Sequence, residues 1–62
     1  MNIRKGMIFD NSRCTQLRVD EVDGDEVRFT IWRDSDKDGF RRRWPQAQFV
    51  AELKRQKLRE IR

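Results

Sequence analysis

Apolar and polar residues alternate in two stretches near the middle of the chain, and a period of two is typical of β-strands with one buried face. In residues 16–22 the alternation fails at Val22, which predicts a bulge or a strand end near Glu21. In residues 27–32 the alternation is regular. The apolar residues of the two stretches are expected to face the core: Leu17, Val19, Val27, Phe29 and Ile31.

Turn-forming residues separate further strands from these two. Asp23-Gly24-Asp25 lies between the alternating stretches, where an Asp-Gly pair favours a β-hairpin. A second hairpin is expected to turn at residues 34–39 and to return as a strand over residues 40–44. Near the N-terminus, Met7-Ile8-Phe9 predicts a first strand with Ile8 in the core, followed by a turn at residues 10–12.

Pro45 marks a change from strand to helix. Proline has no N–H to donate to a β-ladder, but it fits the start of a helix. The residues after it are mostly good helix formers and include no glycine, so a helix is predicted over residues 46–61. This helix is expected to carry an apolar stripe of Phe49, Val50, Leu53 and Ile61 and a basic stripe of Arg55, Arg59 and Arg62.

These elements predict one domain over residues 1–62, mainly β with a C-terminal helix. Four to five antiparallel strands, within about residues 3–44, are expected to form a small barrel or a curved sheet. The helix would cover one open end through Phe49 and Leu53. A chain of 62 residues buries a minimal core, so a homodimer would add buried area.

Three segments resemble parts of an SH3-like barrel: RKGMIF, TQLRVDEV and EVRFTIW. The layout RFTIWRDSDKDGFRRRW followed by FVAELKRQK is similar to small archaeal chromatin proteins of the SH3-like type. The resemblance covers most of the chain as a pattern of strand and turn positions, and it implies DNA binding through the outer face of a three-stranded sheet. The acidic segment 20–26 departs from the archaeal pattern. The chain also resembles short prophage-encoded proteins of unknown function.

Several features bear on the cellular compartment. Cys14 has no partner for a disulfide within the chain, which favours a reducing environment. No apolar run approaches the roughly 20 residues of a membrane span, and no signal-peptide segment occurs. We therefore expect a soluble, cytoplasmic protein with no membrane partner.

Charge is distributed unevenly along the chain. Residues 1–40 contain seven basic and nine acidic side chains, a net charge of −2, whereas residues 41–62 contain eight basic and two acidic side chains, a net charge of +6. An asymmetry of this kind points to an anionic partner, nucleic acid foremost. A solvated, arginine-rich surface without a partner is the alternative.

Arginines and tryptophans form the candidate site. The planar guanidinium donates two parallel hydrogen bonds to phosphate, and aromatic rings beside it offer a surface on which bases stack. Trp32 is out of phase with the core residues, so it either contacts nucleic acid, packs beneath the helix or anchors a protein partner. The predicted nucleic-acid-binding residues are Arg28, Trp32, Arg41, Arg42, Arg43, Trp44, Arg55, Arg59 and Arg62.

No catalytic or metal-binding pattern accompanies them. Residues 34–39, Asp-Ser-Asp-Lys-Asp-Gly, match the first half of a calcium loop, but Pro45 stands where that loop requires a bidentate glutamate. The chain has no histidine to activate Cys14, and the carboxylates of residues 20–26 lie in a tight turn without room for a pocket. We predict neither an enzyme, nor a metal site, nor a cofactor.

Two functions remain as hypotheses. The first is a small basic nucleic-acid-binding protein, for which DNA is favoured over RNA and double-stranded DNA is bound with low sequence specificity or as an accessory factor. The alternative is a phage-type protein–protein interaction module, or an inhibitor of a larger host complex. The acidic segment 20–26 favours the alternative if it lies near the basic face, because carboxylates there would repel phosphates.

Overall fold

A computed structural model describes residues 2–12, 15–33 and 38–62. Within these residues the strands are β1 (Ile8–Asp10), β2 (Gln16–Asp23), β3 (Glu26–Trp32), β4 (Phe40–Pro45) and β5 (Arg59–Glu60), and the helix is α1 (Gln46–Arg55). In the same part of the chain, no helix is both long enough and apolar enough to cross a membrane.

The five strands form one antiparallel sheet in the order β4-β3-β2-β1-β5. The sheet does not close, so β4 and β5 are its two edges. The prediction of a mainly β fold with a C-terminal helix is confirmed, and the sheet is open rather than closed into a barrel. The edge strand β5 was not predicted, because its two residues lie where the sequence favoured helix.

The central hairpin follows its sequence pattern closely. β2 and β3 are joined through Gly24 and Asp25, and Gly24 has a φ of 61°, which glycine adopts without steric cost. The register of the pair shifts between Val19 and Glu21, so Asp20 is an extra residue in β2. The predicted irregularity near Glu21 is therefore confirmed.

The core lies between one face of the sheet and α1. Phe49 is fully buried and anchors the helix: its ring contacts Phe29 with centroids 5.0 Å apart and Phe9 at 6.2 Å. Burying a phenylalanine stabilises a fold by about 1.5–3 kcal/mol, so a few such residues supply much of the stability of so small a chain. The buried residues are Ile3, Met7, Phe9, Leu17, Val19, Val27, Phe29, Ile31, Phe49, Leu53 and Leu58.

The prediction that Ile8 belongs to this core is wrong. Directly opposite residues of an antiparallel pair share a face, and Ile8 lies opposite Arg18 whereas Phe9 lies opposite Leu17. Phe9 is completely buried and Ile8 only partly. The short apolar run carried no alternation of its own, so its phase was decided by pairing with β2.

The helix ends at Arg55, six residues before the predicted end at residue 61. The backbone N–H of Leu58 donates to the carbonyl of Leu53 at 2.9 Å, and that of Lys57 donates to Lys54 at 3.2 Å. With Lys57 at a φ of 56°, this is the Schellman arrangement that terminates helices, and the burial of both leucines adds its usual hydrophobic contact. Lys57 occupies the position at which glycine is usual in this motif, so the sequence carries no glycine that would indicate the helix end.

The earlier end of α1 overturns the basic stripe predicted on the helix and shortens the apolar stripe to Phe49, Val50 and Leu53. Arg59 lies in β5 opposite Asp10, and the carbonyl of Arg62 accepts from the N–H of Ile8 at 2.9 Å. Neither arginine therefore shares a helical face with Arg55. Ile61 is 56% exposed and does not extend the apolar stripe.

One carboxylate organises the last turn of α1. Glu52 accepts two hydrogen bonds from Arg55, both at 2.7 Å, and one from the side-chain amide of Gln56 at 2.8 Å. These bonds, together with the positive charges of Arg55 and Arg33, lower the pKa of the Glu52 carboxyl from 4.5 to about 2. The same pairing raises the pKa of the Arg55 guanidinium. Glu52 is thus ionised in the folded protein at every physiological pH.

Replacing Lys57 by glycine should raise the free energy of unfolding by about 0.5–1 kcal/mol, because a positive φ costs glycine nothing. The matched variant Lys54→Gly lies inside α1 and should lower it by about 1 kcal/mol. Urea unfolding followed by circular dichroism measures both changes. If Lys57→Gly were as destabilising as Lys54→Gly, the helix would have to continue through Lys57.

Acid should remove the stabilisation that Glu52 provides. A carboxyl with a lowered pKa in the folded state stabilises the fold above its unfolded pKa, and that stability is lost as the pH falls from about 4.5 towards 2. Glu52→Gln should therefore flatten the dependence of the urea midpoint on pH in this window. Glu60→Gln removes one carboxylate without touching the Arg55 pair and controls for net charge; an equal flattening there would contradict the assignment.

Candidate functional site

One face of the sheet points away from α1 and collects several predicted site residues. The register places Arg28 opposite Arg43 and Thr30 opposite Arg41, on the side away from the apolar core residues of β3. Arg18 lies opposite Thr30, and Gln16 lies opposite Trp32. We call this surface the outer face and define it by Gln16, Arg18, Asp20, Glu21, Arg28, Thr30, Trp32, Arg41 and Arg43.

Trp32 belongs to the outer face and does not pack beneath the helix. The guanidinium carbon of Arg18 lies over its ring, 5.1 Å from the centroid, which is a cation–π contact. A Cβ added to Gly39 would lie 2.8 Å from Nε1 of Trp32, so the chain leading into β4 approaches the edge of the indole closely. Of the three interpretations of Trp32, packing under the helix is therefore wrong.

Carboxylates pair with most of the outer-face arginines. Arg28 and Arg43 are like charges directly opposite each other, an arrangement that costs stability unless it is compensated. Glu26 lies between them, 3.2 Å from Arg28 and 3.7 Å from Arg43. Asp23 approaches Arg28 at 3.8 Å. The repulsion between the two arginines is thus offset by shared carboxylates at the hairpin end of the face.

The bulge in β2 brings a further carboxylate to the same surface. Asp20 accepts a hydrogen bond from Nε of Arg18 at 2.8 Å and another from the hydroxyl of Thr30, which is buried. The bond from Asp20 holds the Arg18 guanidinium in its position over the Trp32 ring. Arg41, on the neighbouring strand, makes no ion pair with any carboxylate of the described residues.

A broad, open depression of about 830 Å³ follows the outer face towards the edge of the sheet. Its lining includes the arginines Arg18, Arg28, Arg41 and Arg43 and the carboxylates Asp20 and Glu21. At the edge it also touches Phe29, Arg42 and Trp44. Those three face the other side of the sheet by their register, so the depression wraps around β4.

The opposite side of β4 differs in chemistry. Trp44 lies opposite Val27 and packs edge-on against Phe29, with centroids 5.1 Å apart. Trp44, a predicted nucleic-acid-binding residue, is partly buried against the core and lies on the side of the sheet opposite to Trp32. Arg42 shares this side, because it lies opposite Phe29.

A more enclosed cavity of about 290 Å³ lies between α1 and this side of β3 and β4. Arg33, Arg42 and Arg55 reach its rim, and Glu52 is the carboxylate among its lining residues. We call this cavity the inner groove. Its apolar lining consists of Leu17, Phe29, Ile31, Trp44, Phe49, Leu53 and Leu58.

The predicted residues therefore divide among three places instead of one. Arg28, Trp32, Arg41 and Arg43 lie together on the outer face. Arg42, Trp44 and Arg55 line the inner groove. Arg59 and Arg62 lie at the β5 edge.

Two functional candidates were missed by the sequence analysis. Arg18 was not among the predicted residues, although the alternation of residues 16–22 places it, like Trp32, on the side of its strand away from the core. Arg33 follows the last residue of β3 and reaches the groove rim because the helix packs nearby. No local pattern marks that contact.

The remaining predictions concern residues that the structure does not describe, and the binding of a metal ion. Cys14 and residues 34–37 of the acidic, calcium-like turn lie outside the described residues. Within residues 2–12, 15–33 and 38–62, no group of three or more histidine, cysteine, aspartate or glutamate side chains is arranged to hold a metal ion.

Comparisons with protein-family models, with curated proteins and with solved structures find no match for this chain. The resemblance to SH3-like barrels accordingly stays a prediction, and the function has to be argued from the geometry of the outer face and the inner groove.

Proposed function

We propose that this chain binds nucleic acid, in the form of duplex DNA, through its outer face and with little sequence specificity. The observation that carries the proposal is the convergence of Arg18, Arg28, Arg41 and Arg43 on three adjacent strands beside Trp32. Neighbouring strands lie about 4.7–4.9 Å apart, so the four guanidinium groups form a compact array that can contact successive phosphates.

Ion pairs with carboxylates hold some of these arginine side chains in place before a ligand binds. Arg18 and Arg28 are held by carboxylates before any ligand arrives, which limits the side-chain entropy lost on binding. Arg41 has no carboxylate among the described residues and is the group most available to a phosphate. Phosphate contacts carry no direct sequence information, and Gln16 is the one outer-face amide available to a base edge, so low specificity is expected.

A second candidate function, a protein–protein interaction module or phage-type inhibitor of a larger host complex, is favoured by the carboxylates of the same surface. Asp20 and Glu21 line the depression, and Asp23 and Glu26 stand at its hairpin end. These charges would repel a phosphate backbone but would complement a protein surface of mixed charge. The two proposals differ in the sign of the effect that these carboxylates have on binding.

Arginine variants test the DNA proposal. Changing Arg41 and Arg43 together to alanine should reduce the slope of log affinity against log salt by about two units, since each phosphate contact contributes about 0.9. Arg42→Ala is the matched control, because Arg42 lies between them in sequence but faces the inner groove. Binding is measured by quenching of Trp32 in a Trp44→Phe background at several salt concentrations.

The control has two informative outcomes. A slope near that of the parent protein in Arg42→Ala supports binding at the outer face. An equal loss of slope in Arg42→Ala would place the phosphates elsewhere, and no quenching of Trp32 at low salt by folded protein would overturn the DNA proposal.

Glu26 distinguishes the two candidate functions. Glu26→Gln removes a negative charge that lies within 4 Å of Arg28 and Arg43, so DNA should bind more tightly, by about fivefold at low salt. A partner protein that uses the mixed-charge surface should instead bind more weakly. The assay compares wild type and Glu26→Gln on the same duplex, and on any protein recovered stoichiometrically after nuclease treatment. Weaker DNA binding by Glu26→Gln would count against the DNA proposal.

A further inference from the structure

The start of β4 carries an exposed aromatic side chain near the inner groove. Phe40 lies opposite Ile31, so its side chain is on the groove side of the sheet, yet it is 53% exposed. Trp44, four residues along the strand, is covered by the helix and packs against Phe29. Ile31 lines the inner groove and lies opposite Phe40, so the exposed ring of Phe40 is on the same side of the sheet as the groove.

We propose that the inner groove binds an extended acidic segment of a partner protein and seats one of its apolar side chains between α1 and β3. This site lies on the opposite side of β4 from the outer face. The proposal therefore stands independently of nucleic-acid binding by Arg41 and Arg43.

Charge complementarity supports an acidic occupant. Arg33, Arg42 and Arg55 lie around the groove, and Glu52 is the carboxylate among its lining residues. That carboxylate is already engaged by Arg55 and by the Gln56 amide. Arg42 makes no ion pair with a carboxylate of the described residues, so its guanidinium is available to an incoming anion.

The lining of the groove favours a peptide over a nucleobase. Its inner surface is formed by aliphatic and aromatic side chains, and the amide of Gln56 already bonds to Glu52. A base seated there would bury polar edges without hydrogen-bond partners, at a cost of a few kcal/mol. A leucine-sized side chain has no polar edge, and it would gain the hydrophobic free energy of burial.

The position of β4 favours an extended conformation for the occupant. β4 is an edge of the described sheet, and an edge strand presents unpaired backbone N–H and C=O groups. Three consecutive arginines on that edge, Arg41, Arg42 and Arg43, repel a second copy of the same strand. An acidic segment would be attracted instead, and it could pair its backbone with β4 while it places alternate side chains into the groove.

A synthetic peptide tests the proposal. The probe has one leucine flanked on each side by three acidic residues, and its ends are acetylated and amidated. It is titrated into a Trp32→Phe variant, in which Trp44 is the remaining tryptophan and lines the groove. Saturable change of Trp44 emission is expected. Calorimetry on the wild-type chain repeats the measurement without relying on the Trp32→Phe background.

Variants and peptide controls define the expected result. Arg33→Ala and Arg42→Ala should each weaken binding of the peptide by about fivefold, the upper range for an exposed ion pair, whereas Arg41→Ala, on the other side of β4, should weaken it less. Replacing the leucine of the peptide by alanine should weaken binding about tenfold. Replacing its acidic residues by asparagine and glutamine should abolish binding at this site.

Several outcomes would overturn the proposal. One is a Trp44 emission that does not change when the acidic peptide is added to folded protein. The others are equal affinity for the acidic and the uncharged peptide, and equal loss of affinity in Arg41→Ala and Arg42→Ala. Tighter binding of a single-stranded oligonucleotide, detected at Trp44, would assign the groove to nucleic acid instead. Because Trp32 does not line the groove, and because Arg41→Ala and Arg42→Ala alter opposite sides of β4, failure at one site is distinguishable from failure at the other.

Discussion

The contact between Phe49 and the sheet is the interaction on which the rest of the structure depends. An open sheet of five strands has one face that must be covered, and α1 covers it with a single fully buried ring packed against Phe29 and Phe9. The start of the helix is tied to the β2–β3 turn by a hydrogen bond of 2.7 Å from the N–H of Gln46 to the carbonyl of Asp25. The helix therefore approaches the sheet at a defined place and covers only part of it.

That partial cover gives the two sides of β4 different properties. At the end of β4 beside the helix Trp44 is partly buried, whereas at the far end Phe40 is exposed. Arg42 is directed to the groove, while Arg41 and Arg43 remain on the outer face. A run of three arginines, uniform in sequence, is thus divided between two surfaces by the alternation of a strand.

Carboxylates determine how much of the positive charge each surface presents. On the outer face, Glu26 is shared by Arg28 and Arg43, which reduces the field available to phosphates. In the groove, Glu52 is bound to Arg55 and is itself held ionised by that contact. The net charge of +4 is therefore a poor guide to function, since local pairing decides which guanidinium groups can meet a ligand.

Features encoded by near neighbours in the chain were determined by the sequence alone. The alternation of β2 and β3, the hairpin turn at Gly24, the irregularity near Glu21 and the helix start after Pro45 each arise from a local period or a local backbone preference. The same alternation correctly separated Trp32 from the core. The mainly β fold followed from adding these local signals together.

Features that depend on distant pairing were decided only by the tertiary structure. Phe9 rather than Ile8 faces the core because β1 takes its phase from β2. The helix stops at Arg55 because burying Leu58 and pairing β5 with β1 outweigh the helical preference of residues 56–61. The carboxylates share a face with the arginines because a bulge and a cross-strand register bring them there. In the first two cases the deciding contact joins strands far apart in sequence, which no local pattern reports.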